Sequence, residues 1–334
     1  MKLSMKLSKH ILLFLIPLFV ISCGQTKDSS GENNEAVLAQ DSSLNELLEG
    51  SIIPPTKNRK DTLSFENTPC GWDTSLCSLP KDHEAHLDPY YNGHLCENFD
   101  PEQIDFSKEY LQLQETSTKK YGVDVTNSIK NYKYVLDSLF NYGDFQNDGV
   151  IGANYSRIRV HIDKTNKNKY NQFTILGQTN VNGNVCDFQG NMDIYRIYEY
   201  KENFDYPGQA TLFATYKFYE DSTQKHVGVF EGTFECSVLI NHEQQTIKLD
   251  EGMAIADGYY NRTFVGTWTP YKSSLPKKCI WGDNRLPFTF DFDQGDGEMM
   301  INEKYANNGW QPYIDRTEYE YSNGKSQLKN IWWK

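Results

Sequence analysis

Basic residues are in deficit throughout this chain: 33 Lys and Arg stand against 45 Asp and Glu, for a net charge of -12. A nucleic-acid partner is cradled by a basic face that displaces counterions, so this balance argues against one. After Ile21 no apolar run reaches the length needed to cross a bilayer. There is no Gly-x-Ser-x-Gly elbow and no phosphate-binding loop, and the carboxylates are too many to single out a catalytic pair. No enzyme activity and no cofactor are therefore read from the sequence. Methionine is scarce at six residues, whereas Tyr 22, Phe 18 and Trp 6 make aromatics abundant, a bias that suits strands.

The N-terminus has a distinct character. Lys2, Lys6 and Lys9 precede an apolar run from Ile11 to Ile21, which is too short for a membrane span and has the layout of a signal peptide. Val20-Ile21-Ser22-Cys23 resembles the lipobox of bacterial lipoproteins. That resemblance implies cleavage after residue 22, acyl chains on Cys23 and a membrane partner reached through lipid. Gly24 in place of the Asp that marks inner-membrane retention in that family implies the outer membrane, with the leaflet left open. Setting Cys23 aside leaves six of the seven cysteines: Cys70, Cys77, Cys96, Cys186, Cys236 and Cys279. An even number in an exported chain reads as a disulfide set. Three lie in the N-terminal third and three in the C-terminal half, so complete oxidation requires a bridge between the two regions.

Residues 23–65 are polar and acidic, with a Pro54-Pro55 break, and read as a flexible tether. Residues 66–148 are loop-rich with two helices. Asp100-Pro101 looks like an N-cap and first helical position, with Ile104, Phe106, Tyr110 and Leu113 on one face; Ile129, Tyr132, Leu136, Leu139 and Phe140 form the second helical stripe. Residues 149–334 are an antiparallel β domain, a meander over 156–293 followed by a C-terminal hairpin over 313–333. Ile158, Val160 and Ile162 alternate with Arg157, Arg159 and His161, and Asn182-Gly183, Asp257-Gly258 and Asn323-Gly324 are hairpin turns. Thr246 to Ala256 and Phe288 to Phe292 also read as strands.

About eight strands joined by short connections favour an up-and-down barrel, with a sandwich as the alternative. A recurring motif supports closure. Phe188-Gln-Gly190-Asn-Met192, Phe230-Glu-Gly232-Thr-Phe234 and Phe264-Val-Gly266-Thr-Trp268 each place large-Gly-large on one strand face, where glycine lets the strand bend. This pattern resembles the lipocalin-like barrels of small bacterial lipoproteins over residues 155–293. The stretch from Cys279-Ile-Trp281-Gly-Asp283 to Gly309-Trp310 is similar to uncharacterised lipoproteins of anaerobic Gram-negative bacteria, and implies no activity.

Candidate ligand groups are few. Asp144-Phe-Gln146-Asn-Asp148-Gly149-Val-Ile151 has the register of a calcium loop, but Tyr155 stands where the bidentate Glu belongs, so a turn is the simpler reading. Asp291, Asp293 and Asp296, with Glu298, form a second acidic group that could gather oxygens for calcium or end a strand in solvent. His83, His86 and His94 near Cys70, Cys77 and Cys96 could hold a transition metal, although exported thiols are usually committed to disulfides. His161, His226 and His242 read as solvent-facing. Tyr90-Tyr91, Tyr259-Tyr260, Tyr319, Tyr321 and Trp332-Trp333 either stack on a sugar or partner protein, or fill the core.

The resulting expectation is a lipid-anchored envelope protein whose β domain binds a small molecule, glycan or envelope partner. The alternatives are a structural or interaction module with a filled barrel, or a hydrolase whose site is dispersed. Replacing Cys23 with Ala is expected to release the protein from the membrane fraction on cell fractionation. Retention of the variant in membranes contradicts the lipobox reading.

Overall fold

The computed structural model describes Tyr90 and residues 99–334, except 141–145, 202–206, 253–258, 296–297, 323–324 and 334. All of these belong to one compact unit, Asp61–Lys334. Cys23, the tether, Cys70, Cys77, Cys96, the histidines at 83, 86 and 94, Asp144, Asp296 and the turns at 257–258 and 323–324 lie outside the described residues.

In chain order the elements are α1 (Ser107–Tyr121), β1 (Gly122–Asp124), β2 (Lys133–Tyr134), α2 (Leu136–Leu139), β3 (Asn147–Ile151), β4 (Ser156–Lys169), β5 (Gln172–Val181), β6 (Asn184–Tyr200), β7 (Gln209–Glu220), β8 (Gly228–Asn241), β9 (Thr246–Leu249), β10 (Tyr260–Pro270), β11 (Lys277–Asn284), α3 (Gln311–Ile314), β12 (Tyr319–Ser322) and β13 (Lys325–Leu328). Strands β3 to β8 pair in sequence, β8 pairs with β10, β10 with β11, and β11 returns to β3. Every one of these pairs is antiparallel, so the sheet is a closed barrel of eight strands. The β5–β6 connection is the tight turn expected: Asn182 and Gly183 both have positive φ, at 51° and 84°.

The three large-Gly-large motifs point inward. Phe188, Met192, Phe230, Phe234, Phe264 and Trp268 all belong to the interior core. Gly232 and Gly266 face each other across β8 and β10, and a Cβ on Gly232 would lie 2.2 Å from the Val265 carbonyl oxygen. Glycine here permits the close strand approach that a tightly coiled sheet requires. The same device acts at the closure. Gly149 of β3 pairs with Trp281 of β11, and a Cβ there would lie 2.4 Å from the Trp281 Cβ.

The strand membership corrects the expectation in two places. Thr246–Leu249 pairs with the far end of β8 and lies off the barrel wall, while Phe288–Phe292 is not a strand but ends in a 3-10 helix, Phe290–Phe292. Their places in the wall are taken by β3 and β11, which are buried on both faces. Outside them lies a second core, in which Val150, Val265 and Ile280 pack against Phe106, Tyr110, Leu286, Phe288, Phe292 and Trp310. Strands covered on both sides lose the period-2 pattern that reveals a half-buried strand.

The helices also differ. Asp100 to Gln103 form a turn closed by the Asp100 carboxylate, and α1 begins only at Ser107. The second helical stripe is broken into turns, β2 and the four-residue α2. Its apolar residues close one end of the barrel, where Ile129, Tyr134, Leu139 and Phe140 join the interior core. Phe140 and Tyr134 meet Phe173, the Tyr134 hydroxyl donates to Asn171 Oδ1 at 2.9 Å, and the Tyr170 hydroxyl to the Thr126 carbonyl at 2.5 Å. β2 joins the sheet through parallel pairing with β9.

On the outer wall α1 is held by a buried polar chain. The Tyr110 hydroxyl donates to Glu235 Oε2 at 2.6 Å, the Tyr90 hydroxyl lies 2.6 Å from that of Tyr110, and it donates to Thr263 Oγ1 at 2.9 Å. Burial pushes the Glu235 carboxyl up to about 7 from an ordinary value of 4.5. A carboxyl raised in the folded state keeps a proton that the unfolded chain has lost, so its contribution favours folding below pH 4.5 and is withdrawn as pH rises toward 7.

Two outcomes follow from this packing. Gly232→Val is expected to cost about 3 kcal/mol in urea unfolding, because the added methyls meet backbone and not flexible side chain. Glu235→Gln is expected to remove a stability loss of about 3 kcal/mol that the native protein suffers between pH 4.5 and 7. At pH 8 the variant then unfolds at higher urea than the native protein; equal midpoints contradict the assignment.

Candidate functional site at the barrel mouth

The end of the barrel opposite the α2 plug is open. It is ringed by the β3–β4, β5–β6, β7–β8 and β10–β11 connections. A cavity of about 1300 Å³ starts here, and its lining runs from inward residues of the wall, over the β3–β4 turn, to an outer lobe beside Phe290 and Tyr305.

Glu220 anchors the inner lobe. Inward residues of β7 fall at Leu212, Ala214, Tyr216 and Phe218, and the same period brings Glu220 inward at the strand's end, where it is 5% exposed. Its carboxylate accepts three hydrogen bonds, each 2.8 Å long, from Thr179 Oγ1, the Gly228 amide and Trp268 Nε1. Burial raises the affinity of Glu220 for a proton, and the three donors oppose that. All three donors are satisfied only by an oxygen acceptor, so this carboxylate fixes the indole of Trp268. The Lys277 ammonium sits 5.3 Å from that ring. Phe230, Val181 and Ile151 supply apolar surface, and Lys225 and His226 stand on the rim.

The outer lobe is organised around Lys278. Alternation along β11 turns this residue outward, under the second core, with 5% exposure. Its ammonium donates to the Pro101 carbonyl at 3.1 Å and lies 4.8 Å from the Phe106 ring and 5.0 Å from that of Phe290. Burial pulls its pKa down to about 8.

The residues singled out from sequence are dispersed. Asp148 lies on β3 and accepts from Arg157 Nε at 2.7 Å; Arg157 also reaches Glu318, so the end of the calcium-like register forms a buried ion-pair network. Asp293 accepts from Arg285 at 2.8 Å and from the Gly295 and Met300 amides, whereas Asp291 pairs with Lys304 and with Tyr305 at 2.9 Å. These two aspartates thus serve separate networks. Among the described residues no group of three His, Cys, Asp or Glu side chains is placed to hold a metal ion.

Of the six cysteines in the disulfide expectation, Cys186, Cys236 and Cys279 lie among the described residues; all three are buried, and none is bonded to another. They sit on β6, β8 and β11, which are not neighbours in the barrel, and each packs among other side chains. Burial raises all three thiols, Cys186 to about 11.

His161 is also a correction: it is 4% exposed and its ring stacks on Trp333 at 3.9 Å. Tyr90 is buried and stacks on Tyr260 at 3.7 Å, and the Trp332 indole donates to Gln146 Oε1 at 2.5 Å. Most of the paired aromatics therefore fill space; Tyr321, 79% exposed, does not.

Glu220, Thr179 and Lys277 were missed as site residues. The signal for Glu220 was present as an acid in register with four apolar inward positions of its strand. With this geometry in hand the chain was compared with known proteins: no family model matches it, and neither the curated proteins nor the solved structures yield a match.

Proposed function

We propose that this protein is a cell-envelope lipoprotein, anchored through Cys23, that holds a small organic molecule in the mouth of its barrel without transforming it. One observation carries the binding reading: a cavity of about 1300 Å³ that starts at the open end of the barrel and continues over the β3–β4 turn to the outer lobe. Pockets of about 300–1,000 Å³ already accommodate drug-sized molecules. Rings from Phe173 through Phe234, Phe264 and Trp281 fill the lower and middle barrel, so the ligand is confined to the mouth. Binding is favoured over catalysis because the carboxylate at the floor, Glu220, already accepts three structural donors. Anchoring rests on the lipobox resemblance, and the acidic tether supplies reach from the membrane.

The neutral fluorophore N-phenyl-1-naphthylamine tests the pocket. One equivalent is expected to bind the native protein with enhanced emission. Val181→Trp, which places an indole into the mouth, is expected to weaken binding at least tenfold while leaving the thermal midpoint within a few degrees. No binding by the native protein, or equal binding by the filled variant, overturns the reading and leaves a purely structural barrel.

A further inference from the structure

We infer that the mouth selects organic anions: ligands with an apolar ring or chain and one negatively charged head group. This rests on the mouth-pocket reading and adds the ligand's charge to it.

The chain as a whole repels anions, with a net charge of -12. The cavity mouth departs from that balance. Three carboxylates line the cavity: Glu220 is held by its three donors, Asp291 by Lys304 and Tyr305, and Glu102 is exposed in the outer lobe, away from the inner rim. The inner rim carries Lys225 and Lys277, and neither ammonium forms an ion pair among the described residues.

Lys277 is, moreover, positioned without being neutralised. Its ammonium sits over the Trp268 ring, and Trp268 is held from behind by Glu220. An aromatic face orients a cation while leaving its net charge to attract an anion, which a carboxylate partner would not do. Lys225 is placed by its backbone: its carbonyl accepts from Asn184 Nδ2 at 3.0 Å and from Cys186 Sγ at 3.5 Å, tying the β7–β8 loop to the start of β6. Below the two lysines lie Phe230, Val181 and Ile151. Charge at the rim over apolar surface in the wall is the arrangement that an amphiphilic anion complements.

Two probes of one scaffold separate charge from shape: the neutral N-phenyl-1-naphthylamine and its sulfonate, 8-anilino-1-naphthalenesulfonate. The sulfonate is expected to bind the native protein about tenfold more tightly, with the difference shrinking as salt is raised. In the double variant Lys225→Gln/Lys277→Gln the two probes are expected to bind with equal affinity. Equal affinities in the native protein, or a sulfonate preference that survives the double exchange, overturn the charge assignment while leaving the pocket standing. If neither probe binds the native protein, the pocket reading fails and this inference fails with it.

Discussion

The barrel depends on the contact between Gly149 and Trp281. β3 and β11 are the strands that close the sheet on itself, and their backbones meet where the Trp281 side chain occupies the space a Cβ on residue 149 would need. Trp281 then stacks on Phe264 at 4.7 Å and meets Tyr216 and Phe230 edge-on, so the closing contact is also the centre of the interior core. From this centre the rings run down to Phe140 and Phe173 at the plugged end and up to Phe230 and Trp268 at the mouth.

The barrel wall is shared by two cores. Val150, Val265 and Ile280 point out of the strands whose inward residues are Ile151, Phe264 and Trp281, and a layer built from Phe106, Tyr110, Leu286, Phe288, Phe292 and Trp310 covers them. This layer requires polar groups to cross apolar ground. Glu235, the Arg157 network and Lys278 are all buried there, and each is matched: Glu235 to Tyr110, Arg157 to Asp148 and Glu318, Lys278 to a carbonyl and three rings. Buried polar groups need such partners, since an unmatched one costs several times what a surface pair returns.

How legible this was varied with burial. β4 through β8 face the core on one side and keep the alternation that reveals a strand, so their existence, their tight Asn182-Gly183 turn and the inward Phe-x-Gly motifs were all readable. β3 was hidden because Asp148-Gly149 looks like a turn, although Gly149 is there to admit Trp281. β11 was hidden because Cys279-Ile280-Trp281 is apolar on both faces. Phe288 to Phe292 alternates, yet Phe288 and Phe290 adopt positive φ and serve as packing for the outer core. The helical stripe from Ile129 to Phe140 was broken by β2, because a plug must fit the shape of the barrel end more than the geometry of a helix.

What the sequence determined by itself is whatever local periodicity and chain chemistry encode: the antiparallel meander, the glycine-bent strands and the acidic charge balance. These follow from residue spacing, which needs no knowledge of distant partners. Only tertiary structure decided which strands close the barrel, that Cys186, Cys236 and Cys279 sit on strands that are not neighbours, and where Glu220, Trp268 and Lys277 converge. Those outcomes depend on residues far apart in the chain, such as Thr179, Glu220 and Trp268, meeting across a closed sheet. Closure itself sets that meeting, and no local pattern carries it.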